Sequence, residues 1–212
     1  MPPKVKTPEE RQAERKIIIK NAVKLFSDKG YEGLTMRALA NECGFSSTKI
    51  YYYFSSKDEL YFCIMKDGYE IAMDKLRTAY CNGKNPEERL INVADEILRF
   101  GAEYPNYYRL MLSDKMPRRE DFVDTPLFEA ANEATEIGLG YHDFWCKTVK
   151  EACDYYDIPV DDYISGYLYC GIHGCINLIA SRVMPLVNAD FEIIKETMEK
   201  ELRQWLHLQA KK

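Results

Sequence analysis

What most narrows the folds open to this chain is the way it starts its helices. Thr7-Pro8-Glu9-Glu10 and Asn85-Pro86-Glu87-Glu88 each supply a capping side chain, a proline at the first helical position and a Glu three residues after the cap. Ser56-Lys57-Asp58-Glu59 repeats the box without the proline, and Thr125-Pro126 is a weaker fourth start. Behind these starts the apolar residues recur at helical spacing: Ile18, Ala22, Leu25 and Phe26; then Leu90, Val93, Ala94, Ile97 and Leu98; then Ile194, Met198, Leu202 and Trp205. No stretch alternates between hairpin turns, since Asn82-Gly83 and Asp67-Gly68 fall in or beside helical runs. The pattern predicts an all-α protein of about nine helices, over 8–29, 35–42, 46–52, 57–80, 86–103, 105–113, 126–156, 160–183 and 190–208, with loops at 81–85 and 114–125.

A chain of 212 residues with 46% hydrophobic and 13% aromatic side chains can bury a real core, which excludes disorder as its overall state. The net charge of −5 is unevenly placed: residues 1–54 hold 10 basic and 6 acidic side chains, a surplus of +4, and the remainder carries −9. Seven cysteines without a Cys-x-x-Cys pair read as reduced thiols rather than disulfides. The opening residues lack the apolar stretch of a secretory leader, and the expected location is the cytoplasm. Residues 163–181 carry no formal charge, yet His173, Asn177, three Tyr and three Gly make them too polar for a bilayer span.

Function concentrates in residues 35–54. Thr35 is placed to cap a short helix with Met36, Leu39 and Ala40 inward, Gly44 to stop it in a left-handed conformation, and Ser46 to cap a second short helix anchored by Ile50 and Phe54. Two short helices around a tight Gly turn form a helix-turn-helix. The second helix exposes Ser47, Thr48, Lys49, Tyr51, Tyr52 and Tyr53, side chains able to bond bases or phosphates in a major groove. Three rings within one helical turn cannot all face a core, which favours this reading over a plain helical corner.

Residues 14–61 resemble the DNA-binding region of TetR/AcrR-family transcriptional regulators: Phe26 and Lys29-Gly30-Tyr31-Glu32, then Thr35, Leu39-Ala40, Gly44-Phe45-Ser46, Ile50-Tyr51-x-Tyr53-Phe54 and Ser56-Lys57-Asp58-Glu59-Leu60. Many members have Gly two positions after the capping Ser, where this chain has Thr48. The resemblance implies an N-terminal DNA-binding domain over 1–56 and a helical ligand-binding and dimerisation domain over 57–212. It further implies that Thr35 and Arg37 touch phosphates or a flanking base, that Ser47, Thr48 and Lys49 lie toward base edges beside the capping Ser46, itself counted among the DNA-binding residues, that Tyr51 and Tyr52 meet a base methyl or phosphate, and that Tyr53 and Lys57 hold the backbone. Arg11, Arg15 and Lys16 are either phosphate contacts or solvated charge.

The remaining chain contains no catalytic, phosphate-loop or zinc-ligand motif, so neither an enzyme, a cofactor nor a metal is expected. Its aromatic content, including Tyr167, suits buried helices around a pocket with a few polar points. The resemblance implies a small-molecule inducer there, with Tyr104, Tyr108, Met111, Phe128, Tyr141, Trp145, Tyr169 and His173 as candidates. Residues 169–174 weakly resemble the Trp-His-Gly type of C-terminal domain, with Ile172 in place of Trp. Gly171, Gly174, Cys175 and Leu178 form a small-residue stripe. Family precedent puts a homodimer contact on the last two helices, through Gly171, Gly174, Leu178, Ile194, Met198 and Trp205, suited to a palindromic operator. The expected function is a repressor released from DNA by its inducer. A helical carrier or enzyme without DNA binding, or a protein-binding adaptor, are the alternatives.

Overall fold

A computed structural model describes residues 6–112, 117–160, 163–180 and 190–210. Among the described residues there are nine α-helices, one 3-10 turn at Arg119–Phe122 and no strand. The helices are α1 (Pro8–Gly33), α2 (Met36–Cys43), α3 (Ser47–Tyr53), α4 (Lys57–Asn82), α5 (Pro86–Glu103), α6 (Pro105–Met111), α7 (Phe128–Tyr155), α8 (Ile164–Ala180) and α9 (Phe191–Gln209). The 3-10 turn falls inside the segment expected to be a loop, and the ends of the helix expected over 160–183 include positions outside the described residues. No helix among the described residues is long and apolar enough to cross a membrane.

The caps form much as the side chains dictate. Thr7 Oγ1 accepts from the Glu10 N–H at 3.2 Å while the Glu10 carboxylate accepts from the Thr7 N–H at 2.9 Å. Asn85 Oδ1 accepts from the Glu88 N–H at 2.8 Å. Ser56 Oγ accepts from Glu59, but the Glu59 carboxylate reaches the N–H and hydroxyl of Ser55 instead of completing the expected box. α1 runs past the expected end at 29 because Gly30, at φ +70°, kinks the chain without stopping it.

The chain divides into two compact units: Met1–Gly68 with Asn106–Glu136, and Tyr69–Pro105 with Ile137–Lys212. The position expected to separate the two functions, after residue 56, lies within the first unit. In that unit α1 packs on α2 and α2 on α3, enclosing Ile18, Phe26, Leu39, Ile50 and Leu60. Asn106 joins α1 through a hydrogen bond from Ser27 at 2.8 Å, and Phe122 packs edge-on against Phe62. In the second unit α5 is central and packs on α8 and α9, burying Leu90, Ala94, Ile97, Ile176 and Leu206. Gly101 lets α5 and α8 approach closely: a Cβ there would lie 2.3 Å from Ile176 Cγ2.

Candidate nucleic-acid interface

The helix-turn-helix forms on local rules. Thr35 Oγ1 accepts from the Ala38 N–H at 3.1 Å, and Ser46 Oγ from the Lys49 N–H at 3.2 Å, so both hydroxyl oxygens serve as helix caps. Gly44 closes α2 at φ +66°, a conformation that costs glycine little. Its own N–H and that of Phe45 donate to carbonyls of the last turn of α2. Ile50 and Phe54 are buried, which fixes the opposite face of α3 toward solvent.

That outer face carries Ser47, Thr48, Tyr51 and Tyr52, all exposed; the phenol of Tyr52 is the most open, at 68%. Arg37 is exposed as well. Tyr53 is half-buried, edge-on to Tyr52 at 5.2 Å. The cations expected to meet DNA are less free than the sequence suggests. Lys49 lies 3.5 Å over the Phe45 ring and donates to Glu14 Oε1 at 2.8 Å. Tyr53 donates its hydroxyl to Glu14 Oε2 at 2.7 Å, and Lys6 donates to the same carboxylate at 2.6 Å. The Lys49 bond first, then those from Lys6 and Tyr53, hold the Glu14 carboxyl down at about 2, so it is ionised at every working pH. Lys57 sits 3.8 Å over the Tyr31 ring and donates to the Tyr31 carbonyl at 3.1 Å. Arg15 is turned to Phe54 and the Cys63 sulfur, whereas Arg11 and Lys16 stay exposed. Glu14 is the residue that the sequence did not flag. Its partners lie 35 and 39 positions away, beyond any local pattern.

The eight residues expected to hold a ligand fall in both units. Tyr108, Met111 and Phe128 belong to the first, Phe128 being exposed at the start of α7. Tyr104, Tyr141, Trp145, Tyr169 and His173 belong to the second. Trp145 is fully buried and donates its indole N–H to the Ser165 carbonyl at 2.9 Å. Tyr169 lies beside it, 6.2 Å between ring centres, and meets His173 at 3.9 Å and His142 at 5.4 Å. Burial, aided by His142, pushes His173 down to about 4 and keeps it neutral. Tyr104 instead stacks on Phe100 at 5.1 Å, and Tyr141 is buried near Tyr69. Tyr167, expected among the buried aromatics, is exposed because it points away from α5 with the outer face of α8.

On that outer face Tyr163, Tyr167, Gly171, Gly174 and Leu178 are all exposed, and a Cβ at either glycine would meet nothing within 4 Å. Ile194, Met198 and Trp205 are half-buried on α9. No group of three or more His, Cys, Asp or Glu among the described residues could hold a metal ion.

Residues 18–63 match the family model described as bacterial regulatory proteins, tetR family. The chain is 32% identical over 128 residues to YuxN, an uncharacterized HTH-type transcriptional regulator of Bacillus subtilis, covering 60% of this chain and 42% of that protein. It is 43% identical over 44 residues to IcaR, the negative transcriptional regulator of the biofilm operon icaADBC in Staphylococcus aureus, covering 21% of this chain and 24% of that one. The matched region thus spans less than half the length of these relatives. Among solved structures, a Rhodococcus sp. RHA1 protein of unknown function superposes with a TM-score of 0.72 at 21% identity, covering 97% of this chain and 100% of that one. AibR, solved in complex with isovaleryl coenzyme A and operator DNA, superposes with a TM-score of 0.69 at 22% identity over 88% of this chain and 96% of that one. These likenesses show the fold.

Proposed function

Since the chain belongs, through residues 18–63, to the TetR family of bacterial regulatory proteins, we propose that it is a homodimeric repressor that leaves its operator when a small molecule binds its helical body. The observation that carries this reading is the outer face of α3. Ser47, Thr48, Tyr51 and Tyr52 stand in solvent on a helix whose other face is anchored by Ile50. A phenol as open as Tyr52 adds nothing to the core, but it presents both an apolar ring and a hydroxyl to a groove. Arg37 and Lys57 flank α3 as phosphate ligands, with Thr35 and Ser46 setting the helix ends. In this reading the domain over residues 1–56, with Lys57 at its edge, binds DNA, and the domain over 57–212 binds ligand and partner.

Two further observations support the body's role. The exposed stripe from Tyr163 to Leu178 on α8 has the small-residue relief that a second copy can pack against. A two-fold dimer would set two α3 helices on half-sites about 34 Å apart, which demands a palindromic operator. The Trp145, Tyr169 and His173 cluster supplies aromatic walls and a neutral imidazole for a largely apolar effector. AibR, with an acyl coenzyme A and operator DNA in one complex, supports a fold of this kind serving both tasks. IcaR, a negative regulator, supports repression as the sign.

The test is a mobility-shift assay against the DNA upstream of the protein's own gene, repeated with Thr48→Ala, Tyr51→Ala and Tyr52→Ala. A shift that each substitution weakens is expected. No shift at low salt would overturn the reading in favour of a carrier.

A further inference from the structure

On the DNA-binding reading of α3, we infer that Glu14 of α1 is a specificity-determining residue: it ties up Lys49 so that phosphates cannot capture it outside the correct register. α3 has the sequence Ser-Thr-Lys-Ile-Tyr-Tyr-Tyr, and Lys49 is its one formal charge. The Glu14 carboxylate therefore cancels the whole formal charge of the recognition helix. It does so at 2.8 Å, and it holds Tyr53 at the same time. The pair sits at the solvent rim, with side chains 26% and 19% exposed, where an ion pair contributes little to folding. Its consequence falls on the surface that meets DNA.

Non-specific binding is driven by cations reaching phosphates, whereas sequence is read by short-range contacts to base edges. A free Lys49, on a long flexible stem, would take the nearest phosphate on any duplex and in any register. Held by Glu14, it offers no such reward. The hydroxyls and phenols of Ser47, Thr48, Tyr51 and Tyr52 can still read a groove, because none of them depends on Lys49 leaving its partner. Glu14 thus costs the protein affinity for wrong sequences and little for the right one. Lys6, on the far side of the same carboxylate, helps keep it ionised and oriented.

The test uses the full-length protein and two fluorescent duplexes: an operator selected by the wild type from a random library, and one of scrambled sequence. Glu14→Gln is expected to tighten binding to the scrambled duplex about threefold or more and to steepen its salt slope by about 0.9, one phosphate contact, while operator affinity changes less than about twofold. In a Lys49→Met background the same Glu14→Gln change should no longer steepen the slope. Glu14→Ala, checked for an unchanged circular dichroism melt, provides the same readout should the Gln variant fold poorly. Equal gains on both duplexes, an unchanged slope, or a steeper slope that persists without Lys49 each overturn the role of Glu14. A wild type that binds neither duplex overturns the DNA-binding reading itself, and this inference with it.

Discussion

Glu87 ties the start of α5 to α9 and to the turn after α7, and its removal is the sharpest test of how the second unit is held together. Its carboxylate, only 10% exposed, accepts from Arg203 Nη1 at 2.5 Å, from the hydroxyl of Tyr156 and from His207 Nε2 at 3.2 Å, joining α5 to α9 and to the turn that follows α7. Glu87 also lies in the first turn of α5, where the helix dipole favours a negative charge. A hydrogen bond to a charged group contributes about 1.5–3 kcal/mol when shielded. Arg203 and His207 are 42% and 53% exposed, so solvent screening cuts their share to about 0.5–1 kcal/mol each, leaving a total near 3 kcal/mol. Glu87→Ala should therefore lower the stability of the second unit by about 3 kcal/mol, or its melting temperature by about 10–15 °C for a unit of this size. Trp145 and Trp205 both lie in that unit, so urea denaturation followed by tryptophan fluorescence reports it directly. The pH dependence has a definite sign. Burial pushes the Glu87 carboxyl up, but hydrogen bonds from Tyr156, Arg203 and His207 outweigh it and hold the group below its ordinary 4.5. A depressed folded value means that the stabilisation is present above about pH 4.5 and fades as pH falls through the folded value. The gap between wild type and Glu87→Gln should accordingly narrow in acid. A loss under about 1 kcal/mol for Glu87→Ala, or a gap that widens in acid, would refute this account.

Three other outcomes follow from single positions. Gly44→Ala should lose about 1 kcal/mol in urea titration, from the left-handed backbone alone, since nothing lies within 4 Å of the added methyl; an unchanged midpoint would contradict that. Gly101→Ala should lose about 1–3 kcal/mol by pushing Ile176 off α5, and should cost less in an Ile176→Ala background, where the clashing Cγ2 is gone. Tyr167→Asp, at a position 77% exposed, should leave stability within about 0.5 kcal/mol yet halve the mass seen by light scattering at micromolar concentration; an undiminished mass would remove Tyr167 from the dimer contact.

The helices and the helix-turn-helix were legible in the sequence because their causes are local. Thr7, Thr35, Ser46 and Asn85 cap the helix that begins at the next residue, and Gly44 ends α2 through its own φ angle. Ile18, Ala22 and Phe26, or Leu90, Ala94 and Ile97, declare a buried face within two turns of chain. The candidate base-reading face followed in the same way: with Ile50 buried, Thr48 and Tyr52 had to point outward. The family resemblance added roles to those positions.

What the tertiary structure alone decided is which charges are spent inside the molecule. Lys49 reads as a free cation until folding brings Glu14 to it from 35 residues away, and Glu87 reads as a helix-start acid until Arg203 arrives from 116 residues further on. A charge pair depends on distances of a few ångströms between side chains whose separation along the chain carries no periodic signature, so no spacing rule can announce it. Burial has the same origin for the aromatics: Trp145 and Tyr167 look alike as large rings on α7 and α8, yet Trp145 is enclosed with its indole N–H bonded to the Ser165 carbonyl, while Tyr167 stands in water on the outer face of α8.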